Sequence, residues 1–165
     1  MRTTKTDYSI AELQAKAESM CAKAEYSKAD IIDRLYRWGC RDKESINTIV
    51  SSLVEQGYVD DERYARAFVH DKLLYQGWGK QKMRMMLSLK HIPDEVISSA
   101  LARIDPQDYD RKLREAINTK LSSLAADDAH LTEKVVRFCV QRGFDYEDIR
   151  RVIGSADKGD EWCCS

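Results

Sequence analysis

Apolar residues fall three and four positions apart along most of this chain, the spacing that gathers them on one face of an α-helix rather than alternating them across a strand. Ile31, Ile32 and Leu35 share one face, and Ile46, Ile49, Val50 and Leu53 share the next. Tyr64, Ala65, Phe68 and Val69 follow, then Met83, Met86 and Leu87, then Val96, Ile97 and Leu101. Leu113, Ile117 and Leu121, then Val135, Val136 and Cys139, then Ile149, Val152 and Ile153 complete the series. Punctuation agrees with the periodicity. Ser9-Ile10-Ala11-Glu12 reads as a reciprocal capping box flanked by Tyr8 and Leu13, which predicts a first helix from about Ile10 to Glu25. Ser27, Asp42, Asp60 or Asp61, Pro93-Asp94 and Asp105-Pro106 are further helix starts, whereas Gly39, Gly57 and Gly77 are helix stops. The prediction is an all-α chain of about nine helices.

The helices form a repeat. Met83, Leu87, His91, Ile92, Ile97 and Leu101 align with Val135, Cys139, Gly143, Phe144, Ile149 and Ile153 at a constant offset of 52 residues. The same step backwards from Met83, Leu87, His91 and Ile92 reaches Ile31, Leu35, Gly39 and Cys40, and Ile46 and Val50 complete the set after a slip of one. Recurrence at this period signals stacked copies of one supersecondary unit. Three tandem three-helix units are expected, at residues 1–58, 59–104 and 105–154, with a tail at 155–165 in which Trp162 has the bulk to dock. They would make an elongated or curved helical array.

Composition narrows what such an array does. Of 165 residues, 33% are charged, with 27 basic and 28 acidic side chains and a net charge of −1, so bulk charge does not announce a nucleic-acid binder. The distribution is uneven. No acid lies between Asp71 and Asp94, a window that holds Lys72, Lys80, Lys82, Arg84 and Lys90 and leaves the rest of the chain at −6. Five cysteines in no regular framework suit a reducing, cytoplasmic setting, and no apolar run is long enough for a bilayer span or shaped like a signal peptide. His70, His91 and His130 are scattered, the three acids after Val59 have no His or Cys at ligand spacing, and no phosphate-binding glycine loop occurs. No catalytic residue, metal site or cofactor is predicted. Cys40 and Cys139 fall on core positions, Met83, Met85 and Met86 read as packing, and Cys163-Cys164 is a weak pair.

Gly57-Tyr58-Val59-Asp60-Asp61-Glu62-Arg63-Tyr64-Ala65 is the most distinctive string, its acids placed to complement the start of a helix. Together with Leu35-Tyr36-Arg37-Trp38-Gly39, and with Gly77-Trp78-Gly79-Lys80 leading to Lys90-His91-Ile92, it resembles the RecX family of recombination regulators over roughly residues 10–153. Gly57, Asp60, Asp61, Arg63 and Tyr64 mark the family-signature segment. His91 stands where the family usually has glycine, and Gly79-Lys80-Gln81-Lys82 is less proline-rich than in many relatives. The resemblance implies three tandem three-helix units and a non-enzymatic regulator. Such a protein binds the RecA filament on single-stranded DNA and damps its ATP hydrolysis, growth and strand exchange.

The basic window is the leading candidate surface. Lys72, Lys80, Lys82, Arg84 and Lys90 are placed to neutralise phosphates or meet an acidic protein, and Trp78 to stack on a base. Equally, the charges are a solvated helix face and Trp78 part of the core. Arg137, Arg142, Arg150 and Arg151 form a second, mixed-charge set, and Arg34, Arg37 and Arg41 a weaker third. Arg63 and Arg66 either join the central patch or pair with nearby acids. The expected partners are the RecA filament and its single-stranded DNA, met by a monomer. A helix-turn-helix binder of duplex DNA and a helical-repeat adaptor for another protein are the alternatives.

Overall fold

A computed structural model describes residues 8–156. Among these residues there are nine α-helices and no strand: α1 Ile10–Cys21, α2 Lys28–Arg37, α3 Lys43–Glu55, α4 Asp61–Leu74, α5 Lys80–Leu89, α6 Asp94–Ala102, α7 Pro106–Ser122, α8 Leu131–Gln141 and α9 Tyr146–Ala156. Side-chain caps set several starts. Ser9 and Ser27 each form a complete capping box, with Glu12 and Asp30. Asp42 accepts from the Ser45 amide, Asp105 accepts from the Gln107 amide, and Asp60 rather than Asp61 caps α4 by accepting from Arg63 N at 2.9 Å. Helix α1 stops at Cys21, short of the expected Glu25. Ser27 must take extended backbone (φ −78°, ψ 162°) to cap α2, so the residues before it are drawn out of the helix. Trp162, Cys163 and Cys164 lie outside the described residues.

The 52-residue offset is expressed in backbone geometry. Gly39, His91 and Gly143 all have positive φ, at 96°, 57° and 92°. Each closes its helix with the same pair of amide–carbonyl bonds. Gly39 N donates to Tyr36 O and Cys40 N to Leu35 O; His91 N donates to Ser88 O and Ile92 N to Leu87 O; Gly143 N donates to Val140 O and Phe144 N to Cys139 O. This is the Schellman pattern, in which the residue after the left-handed position also packs on the last helical turn. Leu35, Leu87, Cys139, Ile92 and Phe144 are correspondingly buried. His91 thus builds the same turn as its glycine counterparts, at the steric cost a Cβ incurs in that conformation.

The helices fall into two compact units. The first comprises residues up to Ala67 together with Leu87–Ile97. In it α3 packs on α1 and on α2. Leu13, Ala17, Ile31, Leu35, Ile46, Ile49, Leu53 and Val59 form the core, with Trp38 and Tyr58 at its edge. The second comprises Phe68–Met86 and the residues from Ser98 onward. There α7, α8 and α9 pack pairwise, and Tyr109, Leu113, Ile117, Val135, Cys139, Phe144 and Ile149 are buried. The Tyr109 and Phe144 rings meet with centroids 5.3 Å apart.

Two substitutions at equivalent turns should act with opposite sign. His91→Gly removes a left-handed side chain and should stabilise by up to about 1 kcal/mol, raising the melting midpoint by about 2–4 °C. Gly143→Ala should lose about 1–2 kcal/mol from the backbone alone, and more from contact with Lys82. Parallel thermal melts followed by circular dichroism check both.

Candidate functional site

The site is built where the start of α5 meets the turn between α8 and α9, inside the second unit. The early amides of an α-helix have no intrahelical acceptor. Here Gly79 N donates to Arg142 O at 2.8 Å and Gln81 N donates to Gly143 O at 3.0 Å. The Gln81 side-chain amide adds a bond to Asp145 Oδ1 at 2.7 Å. The approach requires glycine on both sides. A Cβ on Gly143 would lie within 2.5 Å of the Lys82 amide nitrogen, and one on Gly79 would overlap the Gly143 peptide. Arg142 reinforces the junction from its side chain, with Nη1 donating to Gln76 O at 2.9 Å, beyond the end of α4.

This docking orients the basic window. Lys72 Nζ lies 5.0 Å and Lys82 Nζ 4.3 Å from the Trp78 ring centroid, so two ammonium groups share one indole. Phe68 meets Trp78 edge-on at 6.2 Å. Trp78 is partly exposed, and so are both lysines. Lys80 Nζ lies 4.6 Å from the Tyr109 ring centroid, and its backbone N–H donates to the Tyr109 hydroxyl at 3.5 Å. Burial pushes the Tyr109 phenol well up, so that it stays protonated. Arg84 donates to Ser98 Oγ at 3.1 Å. The structure therefore brings Lys72, Trp78 and Lys82 together, with Lys80 and Arg84 on the same helix but tied to other neighbours.

Lys90 goes elsewhere. Within the first unit it forms an ion pair with Asp30, the residue that also completes the Ser27 capping box. Burial works to raise the Asp30 carboxyl, but hydrogen bonds from Lys90 and Ser27 outweigh it and hold the carboxyl below the usual range. Burial, with the nearby Asp30 charge, pushes the Tyr64 phenol up to about 12. The rest of the signature segment is engaged in the same unit. Arg63 donates to Glu25 Oε1 at 2.6 Å and to the Gly57 and Tyr58 carbonyls at 3.1 and 3.2 Å, while Asp61 pairs with Lys28 at 3.1 Å. Gly57, with φ 74°, closes α3 so that these carbonyls face Arg63. Asp61, Arg63 and Tyr64 are thus fastened around the start of α2 and the segment before it, while Asp60 caps α4 itself.

The four arginines of the second, mixed-charge set separate. Arg142 is engaged with main-chain carbonyls, and Arg151 forms two bonds with Asp110, at 2.8 and 2.7 Å, and one with Asp148 at 3.3 Å. Arg137 and Arg150 are exposed, Arg150 lying 5.8 Å from the ring centroid of Tyr146. Phe68, Tyr109 and the Gly79–Gly143 approach were not picked out from the sequence as site features. The only signal was the glycine at each position, since the contacts span 64 residues of chain. The described residues hold no cluster of three or more His, Cys, Asp or Glu able to hold a metal, and no helix among them is long and apolar enough to cross a membrane.

Comparison with known proteins follows the same architecture. Residues 60–101 match the RecX second three-helix domain, and residues 107–153 match the RecX third three-helix domain. The chain is 33% identical over 110 residues to the regulatory protein RecX of Vibrio vulnificus, covering 67% of this chain and 71% of that one. It is 30% identical over 137 residues to the regulatory protein RecX of Chromohalobacter salexigens, covering 83% and 88%. In structure it is similar to RecX from Lactobacillus salivarius, with a TM-score of 0.78 at 18% identity over 91% of this chain and 97% of that one. The last likeness bears on the fold.

Two outcomes follow from the geometry. A Trp78 that stacks on an unpaired base would make Trp78→Ala weaken single-stranded DNA binding by about 1–3 kcal/mol, roughly 5- to 150-fold, with an unchanged circular-dichroism spectrum; fluorescence anisotropy with a labelled oligonucleotide measures this. A depressed Asp30 carboxyl contributes stability that is present above its unfolded pKa of about 3.9 and is lost as pH falls through the lower folded value. Asp30→Asn should therefore lower the melting midpoint at pH 7 and make its fall below about pH 4 shallower, as read from melts across that range.

Proposed function

The chain belongs to the RecX family, and from that premise we propose that it binds the RecA filament on single-stranded DNA and restrains it. The observation that carries this reading is the family match across the second and third three-helix domains, the stretch that contains Lys72, Trp78 and Lys82. Trp78 offers an aromatic face to an unpaired base, and the two ammonium groups beside it supply charge for the flanking phosphates. Such contacts are tolerant of sequence, as a ligand that coats DNA of any sequence requires. The chain then acts by occupancy, holding filament and strand in one arrangement, and takes no part in nucleotide chemistry.

The test is steady-state ATP hydrolysis by RecA assembled on single-stranded DNA. Adding the purified chain should suppress hydrolysis in a concentration-dependent manner, and the triple variant K72A/W78A/K82A should need at least tenfold more protein for the same effect. Hydrolysis that stays constant over a wide range of protein concentration contradicts the proposal. Tight, sequence-dependent binding to duplex DNA without an effect on RecA would point instead to a helix-turn-helix DNA binder.

A further inference from the structure

The second unit contains a groove that the contact at Trp78 does not use. Its walls are the end of α4 with the loop after it, α7, and the end of α8, all within that unit, and its volume is about 220 Å³. Tyr75 stands at its edge. It is 78% exposed, more than any other large apolar or aromatic side chain among the described residues. A ring exposed to this extent buries little surface for the fold.

Cations gather at the same groove. Arg142 Nη1 donates to the Gln76 and Gly77 carbonyls at 2.9 and 3.4 Å, and the guanidinium lies 5.2 Å from the Phe138 ring centroid. Both carbonyl bonds use one nitrogen, so Nη2 and Nε have no acceptor among the described residues. Lys112 lines the groove and pairs at 2.8 Å with Glu115, the one acid in the lining. Lys120 Nζ lies 5.7 Å from the Phe138 ring centroid. Three cations against one acid make this a positive groove with an exposed aromatic ring on its edge.

That pairing selects the ligand. A nucleotide places its base on a flat ring and its phosphate among cations, whereas an acidic peptide would leave Tyr75 without a flat partner. Size selects the form of the nucleotide. Clefts that enclose a free small molecule run to roughly 300–1,000 Å³, so this smaller groove suits a strand passing over it. Tyr75 and Trp78 are three residues apart, at most about 11 Å of backbone. One strand can reach both.

We propose that Tyr75, Lys112 and Arg142 hold a second nucleotide of the single strand whose first contact is Trp78, a proposal that rests on the reading of the chain as a ligand of single-stranded DNA in the RecA filament. Tyr75 stacks on the base, and Lys112 with the remaining N–H groups of Arg142 meets the phosphate. Arg142 thereby anchors the α4–α5 loop and serves the strand that crosses it.

The experiment measures binding of a labelled oligothymidylate by fluorescence anisotropy over a series of salt concentrations. The proteins are wild type, Y75A, Y75W, K112Q, E115Q and W78A, each checked by a circular-dichroism melt. Y75A should bind at least fivefold more weakly with an unchanged salt slope, and Y75W as tightly as wild type. K112Q should weaken binding and reduce the slope of log affinity against log salt by about 0.7, the counterion release of one single-strand phosphate. E115Q breaks the same ion pair but keeps the cation, and should bind at least as tightly as wild type. Equal weakening by K112Q and E115Q makes the pair structural and overturns the proposal. So does wild-type affinity in natively folded Y75A and K112Q, whether W78A loses binding or not. If those two variants instead lose binding to RecA filaments, a protein segment is the occupant; if they lose binding of free thymidine monophosphate, a free nucleotide is. The predicted losses in Y75A and K112Q, with a wild type that leaves RecA ATP hydrolysis unchanged, would uphold the groove as a strand site and overturn the parent reading. A wild type that binds no oligothymidylate overturns both.

Discussion

Two amide–carbonyl bonds from the first turn of α5 to the α8–α9 turn determine where Trp78 and Lys82 stand. Gly79 and Gln81 would otherwise begin a helix with unsatisfied donors, and Arg142 and Gly143 end one with carbonyls to offer. Joining the two ends satisfies both, and the polarity is right, the positive start of one helix meeting the negative end of another. The backbones come close enough only because neither Gly79 nor Gly143 has a Cβ. Trp78 immediately precedes this contact and Lys82 lies within it, so the indole and its upper ammonium group are positioned by main chain rather than by flexible side-chain packing.

The basic residues divide into those with an internal acceptor and those that rest on an aromatic ring. Arg142 spans the junction to Gln76, Arg151 serves Asp110 and Asp148, and Lys90 serves Asp30. The geometry of each is fixed by an internal acceptor. Lys72 and Lys82 instead rest against an aromatic ring, a contact that leaves all their donors available. A net charge of −1 is compatible with a nucleic-acid contact on these terms, because a few cations placed together set the local field. The signature string belongs to the first kind. Asp61 fastens α4 to Lys28 at the start of α2 and Arg63 fastens it to Glu25 ahead of α2, which is an architectural reason for the string to be distinctive.

Much of the fold was legible in the sequence because it is local. Helix periodicity, the Ser9 box and the helix starts at Ser27, Asp42 and Asp105 are written within four residues of where they act. The 52-residue offset went further and marked equivalent turns, including the one at His91, where residue type alone does not announce a left-handed backbone. The end of α1 was misplaced, since the demand of Ser27 for extended backbone overrode a continuing helical pattern. The site was less legible. Charge counting grouped Lys72, Lys80, Lys82, Arg84 and Lys90, but only tertiary structure shows that Lys90 reaches Asp30, that Lys80 lies over Tyr109, and that two lysines share Trp78. Those pairings join residues far apart in the chain, which no local pattern encodes.

The account depends most on the α5 start being held against the α8–α9 turn in solution, and amide hydrogen exchange reads those two bonds directly. Gly79 and Gln81 lie at a helix start, where amides without acceptors exchange quickly. Their donation to Arg142 and Gly143 predicts protection comparable to that of Phe144, whose amide is bonded in the buried turn beside them. Exchange at Gly79 and Gln81 as fast as that of the exposed residues Ala126 and Asp127 would contradict it.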